Sequence, residues 1–212
     1  MSVTYRETVL DNGLRIAAEV APGAHSAAVG FFVRTGARDE PTPVMGVSHF
    51  LEHMMFKGTD DLTADAINQA FDDLGASNNA FTSREMTCFY AHTLPEGMGP
   101  ATDLIARMMR PALRQADFDT EKQVILEEIA MYADNPFWVL YEEAIDRRYN
   151  RDRLGHRVLG TKESIAALTR DQMNGYFADR YAPDAMVVAL AGNLDFDASV
   201  AAIRERCAGW EA

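Results

Sequence analysis

Apolar and polar positions along the chain follow two patterns, one typical of strands and one typical of helices. Alternating or continuous apolar runs predict six strands, at residues 4–10, 14–20, 26–33, 76–82, 86–94 and 185–191. The first two strands flank Asp11-Asn12-Gly13. Asn-Gly is a strong hairpin signal because both residue types tolerate a positive φ. We therefore expect the first two strands to form a β-hairpin.

Helical spacing of apolar residues accounts for most of the remaining chain. It predicts helices at residues 42–57, 64–74, 98–110, 117–132, 137–149 and 197–210, with short helices within 162–181. Thr42 as cap and Pro43 in the first turn are expected to open the first of these helices. Strands and helices mix without regular βαβ alternation. We therefore expect one two-layer α+β domain over residues 1–212, with a largely antiparallel mixed sheet packed by helices.

The composition narrows the classes of function. Hydrophobic residues make up 48% of the 212 residues, which is enough for a core, and the net charge of −12 argues against a nucleic-acid partner. The acidic charge is compatible with basic peptides as substrates, or simply with a solvated surface. Cys88 and Cys207 are too few for a disulfide framework and are predicted to be buried free thiols in a reducing compartment.

The sequence shows no pattern typical of a signal peptide or of a membrane-spanning segment. The N-terminal residues lack a basic start followed by an apolar run, as a signal peptide would have. No apolar stretch approaches the roughly 20 residues that span a bilayer. The sequence therefore predicts a cytoplasmic protein without a membrane partner.

The stretch HFLEHMMFKGT, residues 49–59, carries the strongest chemical signal. At about 100° per residue on a helix, His49, Glu52 and His53 project from one arc of about 100°. Two imidazoles one turn apart can bind a single zinc ion, and the glutamate beside them can act as general base for a water molecule whose pKa the metal lowers. This order, H-x-x-E-H, is the inverzincin signature. Solvated surface histidines are the alternative, but the apolar flanks predict a buried helix.

A catalytic zinc usually takes three protein ligands, so one must come from another segment. The predicted helix over residues 117–132 offers Glu121, Glu127 and Glu128 among apolar residues. Glu121 and Glu128 are seven residues apart and share one face, whereas Glu127 lies about 100° away from Glu128. Spacing leaves Glu127 and Glu128 as competing ligands, with a mild preference for Glu128. A solvated helix face is the alternative interpretation of each glutamate.

These segments resemble the M16 metallopeptidases, a family that includes pitrilysin, insulin-degrading enzyme and the β subunit of the mitochondrial processing peptidase. HFLEHMMFKGT resembles the family's zinc helix, and EKQVILEEI resembles the segment with the third ligand. NAFTSREMTCFYAHTL, HRVLGTKESI and YFADRYAPDAMVVALAGN extend the match over nearly the whole chain, most closely to the processing-peptidase branch. The resemblance implies one zinc ion per chain, with His49, His53 and Glu128 as ligands and Glu121 as the supporting carboxylate.

The resemblance also implies an activity, a substrate and a partner. It implies a zinc endopeptidase that cleaves unfolded peptides or presequences, with Glu52 as the catalytic base. The substrate would add as a strand along the sheet edge at Asn79 and Ala80. Family members have two homologous halves that close around the substrate, and each half is about the size of this chain. We therefore expect the chain to be either a fragment or a short protein that pairs with a second half, as a C-terminal domain or partner subunit.

Two other classes of function compete with a peptidase. The first is a non-catalytic half that binds zinc and peptide and needs a second domain or subunit for activity. The complete motif counts against a relative that has lost its catalytic residues. The second is a purely structural protein, which would have little reason to contain the H-x-x-E-H motif.

Overall fold

A six-stranded mixed sheet forms one layer of the protein, and helices cover one of its faces. The computed structural model describes residues 2–149 and 152–211. The strands are β1 (Thr4–Val9), β2 (Arg15–Val20), β3 (Ala27–Val33), β4 (Ser77–Thr82), β5 (Thr87–Thr93) and β6 (Met186–Gly192). Their order in the sheet is β1-β2-β6-β3-β5-β4. The pairing of β2 with β6 is parallel and the other pairings are antiparallel. The predicted α+β class with a largely antiparallel sheet is confirmed.

Eight α-helices occupy the described part of the chain. They are α1 (Val47–Met55), α2 (Ala64–Asp73), α3 (Met98–Met108), α4 (Gln115–Ala133), α5 (Pro136–Tyr149), α6 (Lys162–Ala167), α7 (Arg170–Arg180) and α8 (Phe196–Cys207). Within the described ranges, no helix is both long and apolar enough to cross a membrane. All six strands lie within one residue of their predicted ends, because apolar patterning specifies them locally.

The core lies between the helix layer and one face of the sheet. Phe31 on β3 is fully buried, and its register partners Val188 on β6 and Phe89 on β5 are buried with it. The next residue on each strand points to the opposite face, where Tyr90 is 38% exposed. Both cysteines are buried and free, as predicted.

The hairpin between β1 and β2 forms as predicted, but only one of its turn residues adopts a positive φ. Leu10 and Leu14 close the loop through a backbone hydrogen bond of 2.9 Å. Gly13 has φ 87°, whereas Leu113 is the only non-glycine residue with positive φ among those described, so Asn12 stays in the ordinary region. The loop is therefore a three-residue connection that ends in a left-handed glycine, a common hairpin type.

The helix predicted from residue 42 begins later than expected. Thr42–Val44 forms a separate 3-10 turn, and α1 starts at Val47 after Gly46. Gly46 has φ 93°, and a Cβ atom there would lie 2.6 Å from the carbonyl oxygen of Leu159. A left-handed glycine packed against a distant loop breaks the helix, and local sequence does not reveal this contact.

We expect Gly46→Ala to lower the free energy of unfolding by about 2 kcal/mol or more. The substitution combines the cost of a left-handed alanine, about 1–2 kcal/mol, with a steric clash. Gly99→Ala is the matched control, since a Cβ atom there meets nothing within 4 Å. Urea unfolding followed by circular dichroism should show Gly99→Ala unchanged or slightly stabilised. Equal stability of the two variants would contradict this view of the start of α1.

Candidate metal centre

Packing of α1 against α4 brings the two histidines of the motif to a carboxylate. Phe50 on α1 stacks on Phe118 of α4 with ring centroids 4.7 Å apart. The Oε2 atom of Glu128 then lies 3.8 Å from the Nε2 atom of His49 and 3.7 Å from that of His53. One potential ligand atom from each of these three residues lies within 4.8 Å of the others.

The arrangement fits a zinc ion. Zinc bonds to imidazole nitrogen and carboxylate oxygen are about 2.0–2.2 Å long, so tetrahedral ligand atoms lie about 3.4 Å apart. The distances of 3.7 and 3.8 Å between the Glu128 oxygen and the two imidazole nitrogens exceed this only slightly. Two imidazoles and one carboxylate are also a donor set that catalytic zinc sites use.

Glu128 and its sequence neighbour Glu127 take different positions on α4. Glu128 is half-buried and belongs to the cluster, whereas Glu127 is exposed. Spacing alone leaves this choice open, because it depends on how α4 is rotated against α1.

Burial keeps His49 neutral. The residue is only 8% exposed. Its burial, with a smaller contribution from the charge of His53, lowers the pKa of His49 to about 3. At neutral pH the ring therefore carries no charge, and a neutral imidazole is the form that binds a metal.

Glu121 fixes the orientation of His53. Its Oε1 atom lies 2.8 Å from Nδ1 of His53, and its Oε2 atom lies 2.6 Å from the amine of Lys57. A proton on Nδ1 directed at this carboxylate leaves Nε2 free to face Glu128, the arrangement seen in many carboxylate–histidine–metal sites. Burial alone would lower the pKa of His53, but the hydrogen bond and charge of Glu121 raise it. Lys57, one turn after His53 on the motif, is a partner that the sequence analysis misses.

Glu52 lies beside the cluster of His49, His53 and Glu128, and one of its carboxylate oxygens accepts a hydrogen bond. The hydroxyl of Thr82, at the end of β4, donates to Oε2 of Glu52 over 2.5 Å. Burial raises the pKa of Glu52, and the hydrogen bond from Thr82 opposes this rise. The second oxygen of the carboxylate stays available for another partner. Thr82 is also missed by sequence reasoning, since nothing local distinguishes it from other strand threonines.

The segment with Asn79 and Ala80 lies on β4, which is the edge strand of the sheet. At the turn after β4, the Ser83 N–H donates to the carbonyl of Met86. Because hydrogen-bonded and non-bonded pairs alternate in antiparallel ladders, Asn79 then bonds to β5, whereas the backbone groups of Ala80 and Thr82 face the open edge. The side chain of Asn79 accepts a hydrogen bond of 2.8 Å from the Ala80 N–H. The open edge therefore ends at Thr82, beside Glu52, and it has backbone groups available for pairing.

A buried carboxyl group anchors the start of α1. Glu40 is fully buried and accepts hydrogen bonds from the backbone N–H groups of Gly46, at 2.6 Å, and Ser48, at 2.7 Å. Burial raises the pKa of Glu40 to about 8, and the two backbone hydrogen bonds oppose this rise. The hydroxyl of Ser48 lies 2.8 Å from that of Tyr176 on α7. The carboxylate of Glu40 thus satisfies the N–H groups of Gly46 and Ser48 at the start of the helix that carries both histidines.

The family model for insulinase (peptidase family M16) matches residues 15–162 of the chain. Over 199 residues the chain is 43% identical to an uncharacterized zinc protease of Mycobacterium leprae, with 93% of this chain and 45% of that protein covered. Over 201 residues it is 32% identical to a probable mitochondrial-processing peptidase subunit beta of Arabidopsis thaliana, with 94% of this chain and 38% of that protein covered. The chain thus spans less than half the length of either curated relative.

The fold is shared with a solved structure. The crystal structure of a protease from Helicobacter pylori matches with a TM-score of 0.94 at 22% identity, over 99% of this chain and 51% of that one. At this level of identity the likeness establishes the fold alone.

We expect Glu40→Ala to lower the free energy of unfolding by about 3 kcal/mol, because two buried N–H groups lose their acceptor. Glu40→Gln keeps one acceptor oxygen, so its free energy of unfolding should lie between that of Glu40→Ala and that of the unchanged protein. Glu85→Ala is the control, since the side chain of Glu85 is 61% exposed. Chemical unfolding gives the free energy of unfolding of all three variants. A Glu40→Ala protein as stable as Glu85→Ala would contradict the anchoring role.

Proposed function

The chain belongs to the insulinase family, peptidase family M16, and on that premise we propose that it is the zinc-binding catalytic half of a metalloendopeptidase. The single observation that carries this proposal is the meeting of His49, His53 and Glu128, with Glu52 close enough to interact with the charges of His53 and Glu128. The name of the Mycobacterium leprae relative, a zinc protease, supports the metal and the reaction type. Family membership itself supports a peptidase-type function.

One zinc ion would be held by the Nε2 atoms of His49 and His53 and by a carboxylate oxygen of Glu128. When bound, zinc polarises a peptide carbonyl and lowers the pKa of a water molecule toward neutrality. Glu121 would keep His53 in the tautomer that presents Nε2 to the metal. Lys57 neutralises the second oxygen of Glu121, at 2.6 Å, and so stabilises this arrangement.

Glu52 would act as the general base. The hydroxyl of Thr82 holds its Oε2 atom, so Oε1 is the oxygen that accepts a proton from the attacking water molecule. Glu52 would then return the proton to the nitrogen of the leaving amine. Burial raises the pKa of Glu52, which makes its protonated form accessible for this second step.

The substrate would be an unfolded peptide that pairs with the open edge of β4. The backbone groups of Ala80 and Thr82 would bond to the peptide backbone, and Asn79 would release the Ala80 N–H to the substrate. Pairing through the main chain binds many sequences, because it makes few demands on side chains. The proximity of Thr82 to Glu52 supports a cleaved bond that lies next to this edge.

Hydrolysis would require a second half of the protein, which would close over this half and enclose the peptide between them. The chain covers 45% of the Mycobacterium leprae relative, so that protein contains a further segment of similar size. This observation also supports the competing function, a half that binds zinc and peptide without turnover by itself. Assays of the chain with and without the complementary half distinguish the two functions.

We expect Glu128→Gln to weaken zinc binding by about 100-fold or more, because a neutral amide replaces a charged ligand. Glu127→Gln should leave the affinity unchanged, since Glu127 is exposed and outside the cluster. Competition with a chromophoric chelator measures the zinc affinity of both variants, and it does not require the protein to be active. A larger loss in Glu127→Gln would overturn the ligand assignment.

Glu52→Gln should retain one zinc ion per chain but lose peptide cleavage by about 1,000-fold or more, since the amide cannot accept a proton. Zinc content and cleavage of an unstructured peptide are measured for the chain alone and with the complementary half. Loss of zinc from Glu52→Gln would show that Glu52 has a structural role. Full activity in this variant would rule it out as the base.

A further inference from the structure

Four buried hydroxyl side chains lie where α1 and α7 meet the ends of β3 and β5. Thr35, Ser48 and Thr87 are fully buried, and Tyr176 on α7 is 7% exposed. A buried hydroxyl group is costly unless it forms a hydrogen bond, and apolar side chains would fill this space without that cost. The hydrogen bonds of the four side chains show which elements they connect.

Tyr176 joins the start of α1 to the end of β3. Its hydroxyl oxygen lies 2.8 Å from that of Ser48 on α1 and 2.7 Å from that of Thr35, which follows β3. A hydroxyl group can donate one hydrogen bond and accept others, so it can bond to both partners at once. Tyr176 therefore fixes the start of α1 relative to the sheet.

Thr35 is also connected to the hairpin of β4 and β5. The hydroxyl of Thr87 donates to the carbonyl oxygen of Thr35 over 3.0 Å. Thr87 lies opposite Thr82 on β4, and their hydroxyl oxygens are 3.5 Å apart. Because the Ser83 N–H donates to the Met86 carbonyl at the turn, Thr82 and Thr87 form a non-hydrogen-bonded backbone pair, in which side chains lie closest. Thr87 thus limits the conformations that the Thr82 side chain can adopt.

Thr82 returns the connection to α1. Its hydroxyl donates to Oε2 of Glu52 over 2.5 Å, and Glu52 lies about one helical turn after Ser48. The contacts therefore form a hydroxyl circuit, which leaves α1 at Ser48, passes through four side chains and returns to α1 at Glu52. The four side chains are, in order, Tyr176, Thr35, Thr87 and Thr82. Two attachment points one turn apart constrain both the position of α1 and the direction of the Glu52 carboxylate.

We propose that Tyr176 and Thr87 are positioning residues, which hold the Glu52 carboxylate at the end of β4 through the hydroxyl circuit. The consequence for catalysis rests on the proposed function. The base lies on α1, whereas the peptide would pair with β4, so the circuit sets the distance between the two. Loss of the circuit should lower the rate of hydrolysis more than the affinity for peptide, because the open edge of β4 stays intact.

Cleavage of an unstructured peptide by the zinc-loaded chain with its complementary half tests the catalytic consequence. We expect Tyr176→Phe and Thr87→Val each to lower kcat about tenfold or more, with KM changed by less than about twofold. Both variants should retain zinc, since neither residue is a proposed ligand. Thr87→Ser keeps the hydroxyl group and should retain most of the rate.

Two control substitutions remove a buried hydroxyl group that lies outside the circuit. Tyr181, directly after α7, is 2% exposed, and its hydroxyl has no hydrogen-bond partner among the residues that the structure describes, so Tyr181→Phe breaks no such bond. Thr93→Val, on β5 like Thr87, removes a hydroxyl that bonds to the carbonyl of Leu74 at 3.4 Å. If the circuit had a purely structural role, its variants would lose stability, but kcat of the folded, zinc-loaded protein would equal that of these controls.

A double-mutant cycle in chemical unfolding tests the circuit without any need for activity. Tyr176→Phe and Thr82→Val remove two hydroxyl groups that the circuit joins through Thr35 and Thr87. If the circuit acts as one unit, loss of either group weakens the rest. The loss in the folding equilibrium constant of the double variant should then be about fivefold or more smaller than the product of the two separate losses.

The two measurements separate this proposal from the peptidase proposal. Coupling in unfolding, without cleavage by the unchanged protein and its complementary half, supports the circuit and overturns the peptidase proposal. Independent effects of the two substitutions on unfolding overturn the circuit, whether or not the protein cleaves peptides. Cleavage in which Tyr176→Phe and Thr87→Val match their controls in kcat overturns the positioning role and leaves the peptidase proposal standing.

Discussion

The packing of α1 against α4 is the constraint on which the site depends. Glu121 contacts His53 and Lys57 near the end of α1. Glu128 contacts His49 and His53, which lie one turn closer to the start of α1. The two helices therefore run antiparallel where they meet. A rotation of either helix by one residue would move a carboxylate by about 100° and separate the ligand atoms.

Bringing these polar groups together inside the protein has a cost, and the surroundings offset it through specific contacts. A buried histidine or carboxylate is stable only when its hydrogen bonds are made or when it loses its charge. His49 is held neutral, Glu121 is paired on both oxygens, and Glu52 is bonded to Thr82. The same contacts that stabilise the site also orient it, so the proposed metal ligands and the proposed base are already held in position by the fold.

Local patterning predicts the elements of this fold well, whereas the contacts between elements lie beyond it. Apolar alternation specifies the strands, and the motif itself places three of the site residues on one helix. The late start of α1 depends on the contact of Gly46 with a loop more than one hundred residues away in sequence. The roles of Glu40 and Thr82 are equally non-local, since their partners lie on other elements. The choice between Glu127 and Glu128 required the rotation of α4, which helical spacing does not supply.

X-ray absorption at the zinc edge, on protein loaded with one zinc ion per chain, is the most direct test of the centre formed by α1 and α4. We expect two imidazole nitrogens and a carboxylate oxygen at about 2.0–2.2 Å from the zinc ion, with no sulfur near 2.3 Å. In a His49→Ala variant we expect one of the two imidazoles to be lost. A sulfur ligand, or a shell of oxygens without imidazole, would contradict the assignment of His49, His53 and Glu128 as the metal ligands.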